Sequence, residues 1–410
     1  MLKDKNSHFF ASCPAGLEEI LLNEIKQITN IKKLSVENGG VDLFCSSIQA
    51  IKILINSRIA SRVFLYLESF TLANEKDLYH FANNINWNKY FTLKQTFKNN
   101  VLLDREAQNF FKNSHHLALV VKDAIVDNFR SKTNTRPDIN LKNPDISFLT
   151  RITKSERKFK ANILVDLCGR PLSNRGYRVQ NHIAPLRENL AAGLILLSNW
   201  NSEQQVIYDP MCGSGTILTE AAMINLGLPG SYLKIIDYKE NKSSPFAFLD
   251  HIWFIENSEL QREVFSLFDR TYSEIDNILS EEISEIKIFG SDLSYDSINV
   301  ARANLEAARL TDFIKIKSDD CTSVLPPDLN EGVIICNPPY GERLESDNLT
   351  ELENLYHNFG ENLKKNFKGF TAYLITSTPG LRKKISLQTS KRIKLYNGPL
   401  ECRLLEYKLF

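Results

Sequence analysis

The sequence predicts an α/β protein, with a doubly wound parallel sheet in its C-terminal half and mixed α+β units ahead of it. Three observations point there. Strand-like and helix-like stretches alternate from about residue 186 to 336, the order expected of parallel strands joined by crossover helices. A glycine-bearing turn separates a strand from a helix in that half, where an open α/β sheet presents its ligand crevice. The first 178 residues mix short strands and helices without that alternation and carry the opposite charge. A length of 410 residues suggests two or three domains at roughly 150 residues each.

Composition narrows the class. Hydrophobic residues make up 43% and charged residues 24%, which excludes disordered, collagen-like and coiled-coil chains. The seven cysteines contain no CxxC pair, so neither a thiolate zinc site nor a redox motif is indicated, and no metal site is expected. His115-His116 lacks partners at ligand spacing. Scattered thiols suit a reducing cytosol. The polar N-terminus and the lack of an apolar run of about 18 residues point to a cytoplasmic protein with no membrane partner. Net charge is +1, but residues 1–180 hold 27 Lys+Arg against 17 Asp+Glu, and residues 181–410 hold 23 against 32. The basic part suits a polyanion, because Lys and Arg displace counterions from phosphates. An ordinary solvated surface explains the same charges equally well.

Residues 1–65 read as a small α+β unit: strand 8–12, helix 14–22, a turn at Gly39-Gly40, strand 41–44, helix 47–57 and strand 60–67. Residues 66–178 form a second. An amphipathic helix spans 117–129, with Leu117, Val120, Val121, Ile125 and Phe129 on one side, and strands 148–153 and 160–166 follow. Candidate phosphate contacts are Lys122 on that helix, Arg130, Lys132 and Arg136 at its end, Arg157 in the strand-joining turn, and Arg175 and Arg178 near the close of the unit. Residues 179–410 bring helix 186–197, strand 206–208, the glycine turn and helix 216–226. A polar insertion with an amphipathic helix near 258–279 spans 227–285. Strand 286–290, helix 297–308 and strands 314–317 and 332–336 resume the alternation. Lys364, Lys365, Lys368, Arg382, Lys383 and Lys384 are candidates to flank a nucleic acid near the reactive face, or simply a solvated surface.

Four motifs carry the chemistry. Asp209-Pro210-Met211-Cys212-Gly213-Ser214-Gly215-Thr216 follows a strand and opens a helix. Its glycines let the backbone approach a ligand. It lacks the Lys of a P-loop and the third Gly of a dinucleotide fingerprint. A strand-end carboxylate repels phosphate and attracts a cation such as the sulfonium or ammonium of S-adenosylmethionine. Asp292, with Leu293 after it, ends another strand, where an acid commonly grips ribose hydroxyls; the same acid could instead cap the following helix. Asp319 and Asp320 compete to accept from an adenine amino group. Asn337-Pro338-Pro339-Tyr340 closes the set. The Asn337 side chain and the Pro338 carbonyl together can accept both hydrogens of an exocyclic amine, and Tyr340 can stack on the base. Cys336 lies in an apolar strand, where a structural thiol is the default, which weighs against carbon methylation through a thiolate.

These motifs resemble those of class I S-adenosylmethionine-dependent amino-methyltransferases. Further segments extend the resemblance over nearly the whole chain, among them Pro14-Ala15-Gly16-Leu17-Glu18-Glu19, Asn174-Arg175-Gly176-Tyr177-Arg178, Leu186-Arg187-Glu188-Asn189 and Asn397-Gly398-Pro399-Leu400-Glu401-Cys402. They resemble the bacterial 23S ribosomal RNA guanine-N2 methyltransferases. That resemblance implies a Rossmann-like class I methyltransferase domain at 179–410, preceded by an α+β ferredoxin-like domain at 1–65 and a THUMP RNA-binding domain at 66–178. It implies methyl transfer from S-adenosylmethionine to guanine N2, with 23S rRNA or a large-subunit precursor as partner and no obligate protein partner. Asn337, Pro338 and Tyr340 are the expected catalytic residues. Asp209, Met211, Cys212, Gly213, Gly215, Asp292, Leu293, Asp320 and Asn337 are expected to hold the cofactor, with Arg187 and Glu188 either closing its pocket or forming a surface ion pair. Some members carry a second, guanine-N7 methyltransferase domain; the chain ends at Phe410, so that activity is expected to be absent. Transfer RNA guanine, adenine N6 in DNA, and an inactive RNA-binding assembly factor stay open as alternatives.

Overall fold

The computed structural model describes residues 6–111, 113–156, 158–180, 186–282, 285–327, 331–339 and 349–410. Alternating apolar residues in the first part make strands β1 (Ser7–Ser12), β2 (Lys33–Glu37), β3 (Gly40–Cys45), β4 (Arg62–Leu72), β5 (Phe97–Leu103), β6 (Ile146–Ser155) and β7 (Lys158–Asp166). They join in one sheet of order β2-β3-β1-β4-β7-β6-β5, antiparallel except for the β5–β6 pair. β4 pairs with β1 over Arg62–Leu65 and with β7 out to Leu72, with a register shift between Tyr66 and Glu68. A boundary at residue 65/66 therefore falls inside a strand that both N-terminal units share.

The second part contributes β8 (Val206–Asp209), β9 (Ile288–Asp292), β10 (Ile314–Ser318), β11 (Gly332–Cys336), β12 (Thr371–Thr376), β13 (Lys391–Asn397) and β14 (Leu400–Lys408). Their order is β10-β9-β8-β11-β12-β14-β13; the first five are mutually parallel, and the β13–β14 hairpin closes the far edge. Strand order reverses between β8 and β11, so a crevice opens at their carboxyl ends. Both strands are buried along their length, as a sheet covered on both faces requires.

One apolar core runs through both parts. The helix Glu188–Ser198 is buried almost all round, which places it inside the molecule between sheet and N-terminal unit. Its Asn189 Nδ2 donates to the Ile59 carbonyl and to Ser61 Oγ. At Gly230 a Cβ would sit 2.1 Å from the Ser57 carbonyl oxygen, so only glycine allows this approach. The Gly230 and Ser231 N–H groups donate across it to Asn56 and Ile55. Arg175 donates to Glu220 from Nε and Nη2 (3.2 Å each), to the Leu172 carbonyl and to the Arg58 carbonyl. Tyr177 Oη donates to the same carboxylate (3.1 Å). Desolvation would lower Arg175, but the Glu220 carboxylate outweighs it and holds the guanidinium above its ordinary value.

This corrects the expectation for two arginines. Arg175 is 1% exposed and cannot reach a phosphate. Arg178 is also turned inward, onto Glu188, the Leu186 carbonyl and Thr216. A second correction concerns Lys364, Lys365 and Lys368. The helix Leu349–Asn366 runs back from the carboxyl end of β11 to the start of β12, so its last turn lies at the opposite edge of the sheet from the crevice. Arg382, Lys383 and Lys384 follow β12 and lie at the crevice edge. Among the described residues no helix is long and apolar enough to cross a membrane, and all seven cysteines are free.

Candidate active site

Three strand ends and a glycine turn build the site. β8 ends on Asp209, which is buried, with Oδ1 accepting from the Met211 N–H (3.1 Å). Burial pushes its carboxyl well above the usual range, the Met211 N–H opposes this, and nearby Asp292 pushes it further up. The turn that follows has Gly213 and Gly215 at φ +52° and +79°, and a Cβ on Gly213 would meet nothing within 4 Å. Open space above a glycine is where a ligand can press against the backbone.

Asp292 ends β9, next to β8 in the sheet. Its Oδ2 accepts from the Gly213 N–H and its Oδ1 from the Ser294 N–H, both at 2.9 Å. The cap of the helix Tyr295–Ala307 is Ser294, whose side chain accepts from Ser297 N–H, so Asp292 is not that cap. Each of its oxygens keeps one acceptor position for a ligand hydroxyl. Beyond β10, Asp320 Oδ1 accepts from Thr322 N–H and Oγ1 (2.8 Å each). Asp319 is instead paired with Lys317 Nζ at 2.7 Å, which holds its carboxyl below the ordinary value. Of the two competing acids, Asp320 is the one free of a lysine. Leu293 is 74% exposed, and Tyr295 and Leu325 on the same edge are also exposed, an apolar rim beside the two carboxylates.

Across the crevice, β11 delivers Asn337. Its Oδ1 is buried and has no hydrogen-bond partner among the described residues. A buried acceptor left empty costs about 1–3 kcal/mol, so such groups persist where a ligand completes them. Pro338 is buried beside it, and the Pro339 carbonyl accepts from Tyr356 Oη (3.1 Å). Tyr340 lies outside the described residues, as does Arg157. Burial pushes the Cys336 thiol well above its ordinary value, so it is no nucleophile.

The structure also shows residues that sequence reasoning passed over. Asn304, buried on the inner face of helix Tyr295–Ala307, donates to the Ser214 carbonyl (3.1 Å) and accepts from the Val179 N–H (3.1 Å), so it braces the glycine turn. A polar residue among Ile298, Ala301 and Leu305 was the available signal. Arg178 braces the same turn through Thr216 Oγ1 (3.2 Å), and Glu188 pairs with Arg178 (3.0 Å) rather than sitting on the surface. Lys122 and Arg130 pair with Asp123 and Asp127, and Lys132 donates to Asn128. Arg130, Lys132 and Arg136 are exposed together at the end of helix Ser114–Thr133.

Two acids with no cationic partner among the described residues, an open glycine and an apolar rim fit a ligand that is cationic at one end and a nucleoside at the other. S-Adenosylmethionine has this shape and charge, and Asp209, Gly213, Asp292 and Asp320 are the residues that could hold it.

Comparison with known proteins agrees. Residues 8–64 match the RlmL ferredoxin-like domain, residues 73–157 the THUMP domain, and residues 175–406 the RMKL-like methyltransferase domain. A "Ribosomal RNA large subunit methyltransferase K/L" from Psychromonas ingrahamii is 35% identical over 98% of this chain. The chain spans 50% of that relative's length. Among solved structures, a putative methyltransferase complexed with SAH is 26% identical with a TM-score of 0.77, covering 100% of this chain and 99% of its own. A possible methylase from Clostridium difficile 630 is 28% identical with a TM-score of 0.78, covering 99% of each chain. The strand ends described above lie within residues 175–406, more than half of the sequence, and the chain belongs to the RMKL-like methyltransferase family, with a THUMP domain and an RlmL ferredoxin-like domain ahead of the methyltransferase domain.

Proposed function

We propose that the chain transfers a methyl group from S-adenosylmethionine to the exocyclic N2 of a guanine in 23S ribosomal RNA. The single observation that carries the reading is the unfilled, buried Asn337 Oδ1 at the carboxyl edge of β11, across the strand-order reversal from Asp209, whose carboxyl has no cationic partner among the described residues. S-Adenosylmethionine, when bound, supplies a methyl already activated on sulfonium. Asn337 Oδ1 and the Pro338 carbonyl accept the two amine hydrogens and aim the nitrogen lone pair, which the purine ring otherwise draws away. Tyr340 stacks on the base. Asp209 takes the cationic end of the cofactor, with Met211, Cys212, Gly213 and Gly215 around it. Asp292 takes the ribose, Leu293 one face of the adenine, and Asp320 its amino group. Positioning of this kind is worth roughly 7–11 kcal/mol of a barrier, and a paired guanine must first leave its helix. Lys122, Arg130, Lys132 and Arg136, with Arg157, hold the RNA backbone in a cytoplasmic setting. The division of labour is 1–65 as spacer, 66–178 as RNA grip and 179–410 as catalyst.

The test is nucleoside mass spectrometry of ribosomal and transfer RNA from cells with and without the protein, beside single-turnover methylation by Asn337→Ala. N2-methylguanosine should vanish from 23S RNA alone, and the variant should lose roughly 10²–10³-fold in rate with unchanged S-adenosylhomocysteine affinity. A missing transfer-RNA mark, a missing adenine mark, or full turnover by the variant would each defeat the reading.

A further inference from the structure

The polar insertion after Gly227 takes no part in the site above, and it borders a wide cleft. The cleft has a volume of about 770 Å³. One wall is the THUMP part, through Lys98 on β5 and Lys142 in the loop before β6. The floor is the connecting segment with Arg170, and the other wall is the insertion helix Tyr232–Asn241 with the stretch up to Asp250. Ala307 and Arg309, which also line it, come at the end of helix Tyr295–Ala307, just before β10 begins. That helix starts at the catalytic edge and runs 13 residues, about 20 Å at 1.5 Å per residue. Ala307 and Arg309 thus place that end of the cleft at the opposite edge of the sheet from the glycine turn.

Its electrostatics are unbalanced. Lys234 Nζ is buried and has no hydrogen-bond partner among the described residues. It lies 5.4 Å from the centre of the Phe246 ring, and Cys168 and Asp166 act on it only at longer range. A buried ammonium without acceptors is costly, because Lys offers three donors and no acceptor. Burial lowers its pKa to about 8, so it remains mostly charged near neutrality. Of the acids of the cleft, Glu240 is paired with Arg309, while Asp145 and Asp237 accept only from the neutral Thr96 and Asn241 and keep their charge. Asp145, Asp237 and Asp250 thus stand with four cations, Lys98, Lys142, Arg170 and Lys234, none of which is in an ion pair among the described residues, and the cleft keeps a positive excess of one.

We infer that this cleft is a phosphoryl-oxyanion site, in which the buried Lys234 ammonium and the rim cations Lys98, Lys142 and Arg170 receive a phosphate of the RNA backbone away from the methylated base. It rests on the RNA-methyltransferase reading for the source of the phosphate, not for the oxyanion chemistry. The site gives the insertion a purpose: it supplies the one cation that the THUMP wall cannot place in the interior of the cleft. Oxyanion oxygens would fill the donors that Lys234 now leaves empty, and charge-assisted bonds in a partly dry cleft are the strong kind.

The experiment uses the full chain, with Lys234→Met and the rim double variant Lys142→Ala/Arg170→Ala. Two probes are titrated, a large-subunit ribosomal RNA transcript over a salt series and inorganic phosphate alone. Lys234→Met should bind the transcript roughly tenfold more weakly, with a log–log salt slope smaller by about one. The rim variant should flatten the slope similarly, and it tests the site even if the buried substitution misfolds. Affinity for S-adenosylhomocysteine should stay unchanged in both. If RNA binding is unaltered but wild type binds phosphate and Lys234→Met does not, the oxyanion site stands with free phosphate as its source. Unchanged behaviour of both variants toward both probes would overturn it. Because neither readout is methylation, a wrong base assignment at Asn337 leaves these results legible.

Discussion

Replacing Arg175 by Met removes the cation from a carboxylate that has no route to solvent. Glu220 and Arg175 both have fully buried side chains. The guanidinium supplies two of the three hydrogen bonds received by Glu220, and also the donors for the Leu172 and Arg58 carbonyls. Met fills much of the volume but leaves the acid with only Tyr177. Breaking a buried pair on one side costs about 3–5 kcal/mol, which for a unit of this size lowers Tm by roughly 6–20 °C. The loss should depend on pH in a definite direction. Burial already pushes Glu220 up, and without Arg175 the opposing pull is gone. A folded-state pKa above the unfolded one means the folded chain binds more protons, so stability declines as pH climbs past the ordinary Glu range. The deficit should therefore be smaller at pH 5 than at pH 8. The double variant Arg175→Met/Glu220→Leu should recover most of the loss, since an apolar pair of similar volume is often neutral. Thermal and urea unfolding of the three variants checks this. A Tm for Arg175→Met within 1 °C of wild type, or a double variant no better than the single, refutes the account and reopens a surface role for Arg175.

The remaining expectations concern the turn and the acid range. On the role proposed for Asp209, calorimetric affinity for S-adenosylmethionine should rise with pH as that buried acid ionises, and Asp209→Asn should bind weakly at every pH; a flat wild-type profile would remove Asp209 from the cofactor's cationic end. Asp292→Ala should weaken the same affinity roughly 10–100-fold, the range of one charged hydrogen bond, and an unaltered constant would make Asp292 a purely structural brace. Asn304→Leu should cost about 1–3 kcal/mol of stability and lower cofactor affinity, since the Ser214 carbonyl and Val179 N–H lose their shared partner; intact affinity would show that the turn holds without it. His251 is buried, with burial lowering its pKa to about 3, so the unfolded chain takes up a proton before the folded one does. Stability should fall as pH drops from about 6.5 toward 3, and His251→Phe should lessen that fall in acid unfolding curves.

The parallel half was largely legible because its signals are local. The apolar stretch Val333–Cys336 running into the polar Asn337, and a glycine turn followed by a helical repeat, need no knowledge of the rest of the chain. Asn337 stood out because two prolines follow it, and the structure adds what no spacing reveals, that its oxygen is buried and empty. What stayed hidden was long-range. β5 pairs with β6 from more than forty residues away, and nothing in Phe97–Leu103 announces a parallel partner. The shared strand β4 carries both N-terminal units, so a cut suggested by composition falls inside it. Arg175 and Arg178 looked like phosphate ligands because an arginine in a basic segment reads the same whether it faces solvent or a buried acid brought to it by the fold; their partners, Glu220 and Glu188, lie in the acidic half of the sequence.

That pairing alters how the two halves can be separated by experiment. Removing residues 1–178 would strip Arg175 and Tyr177 from Glu220 and bare the face of helix Glu188–Ser198 that packs on the N-terminal unit. A fragment of residues 179–410 that failed to methylate would therefore say nothing about RNA binding, because a buried acid without its cation is reason enough for it to unfold. Charge removal on the exposed Arg130, Lys132 and Arg136 leaves that junction untouched. The junction itself is built from backbone contacts at Gly230 and Ser231, a buried ion pair and a continuous apolar core, which are features of a domain interior and not of a hinge. On the proposed function, an RNA held by the first half would be presented to the strand ends of the second at a fixed distance, and selection of the target base would follow from where the RNA is gripped as much as from what Asn337 can accept.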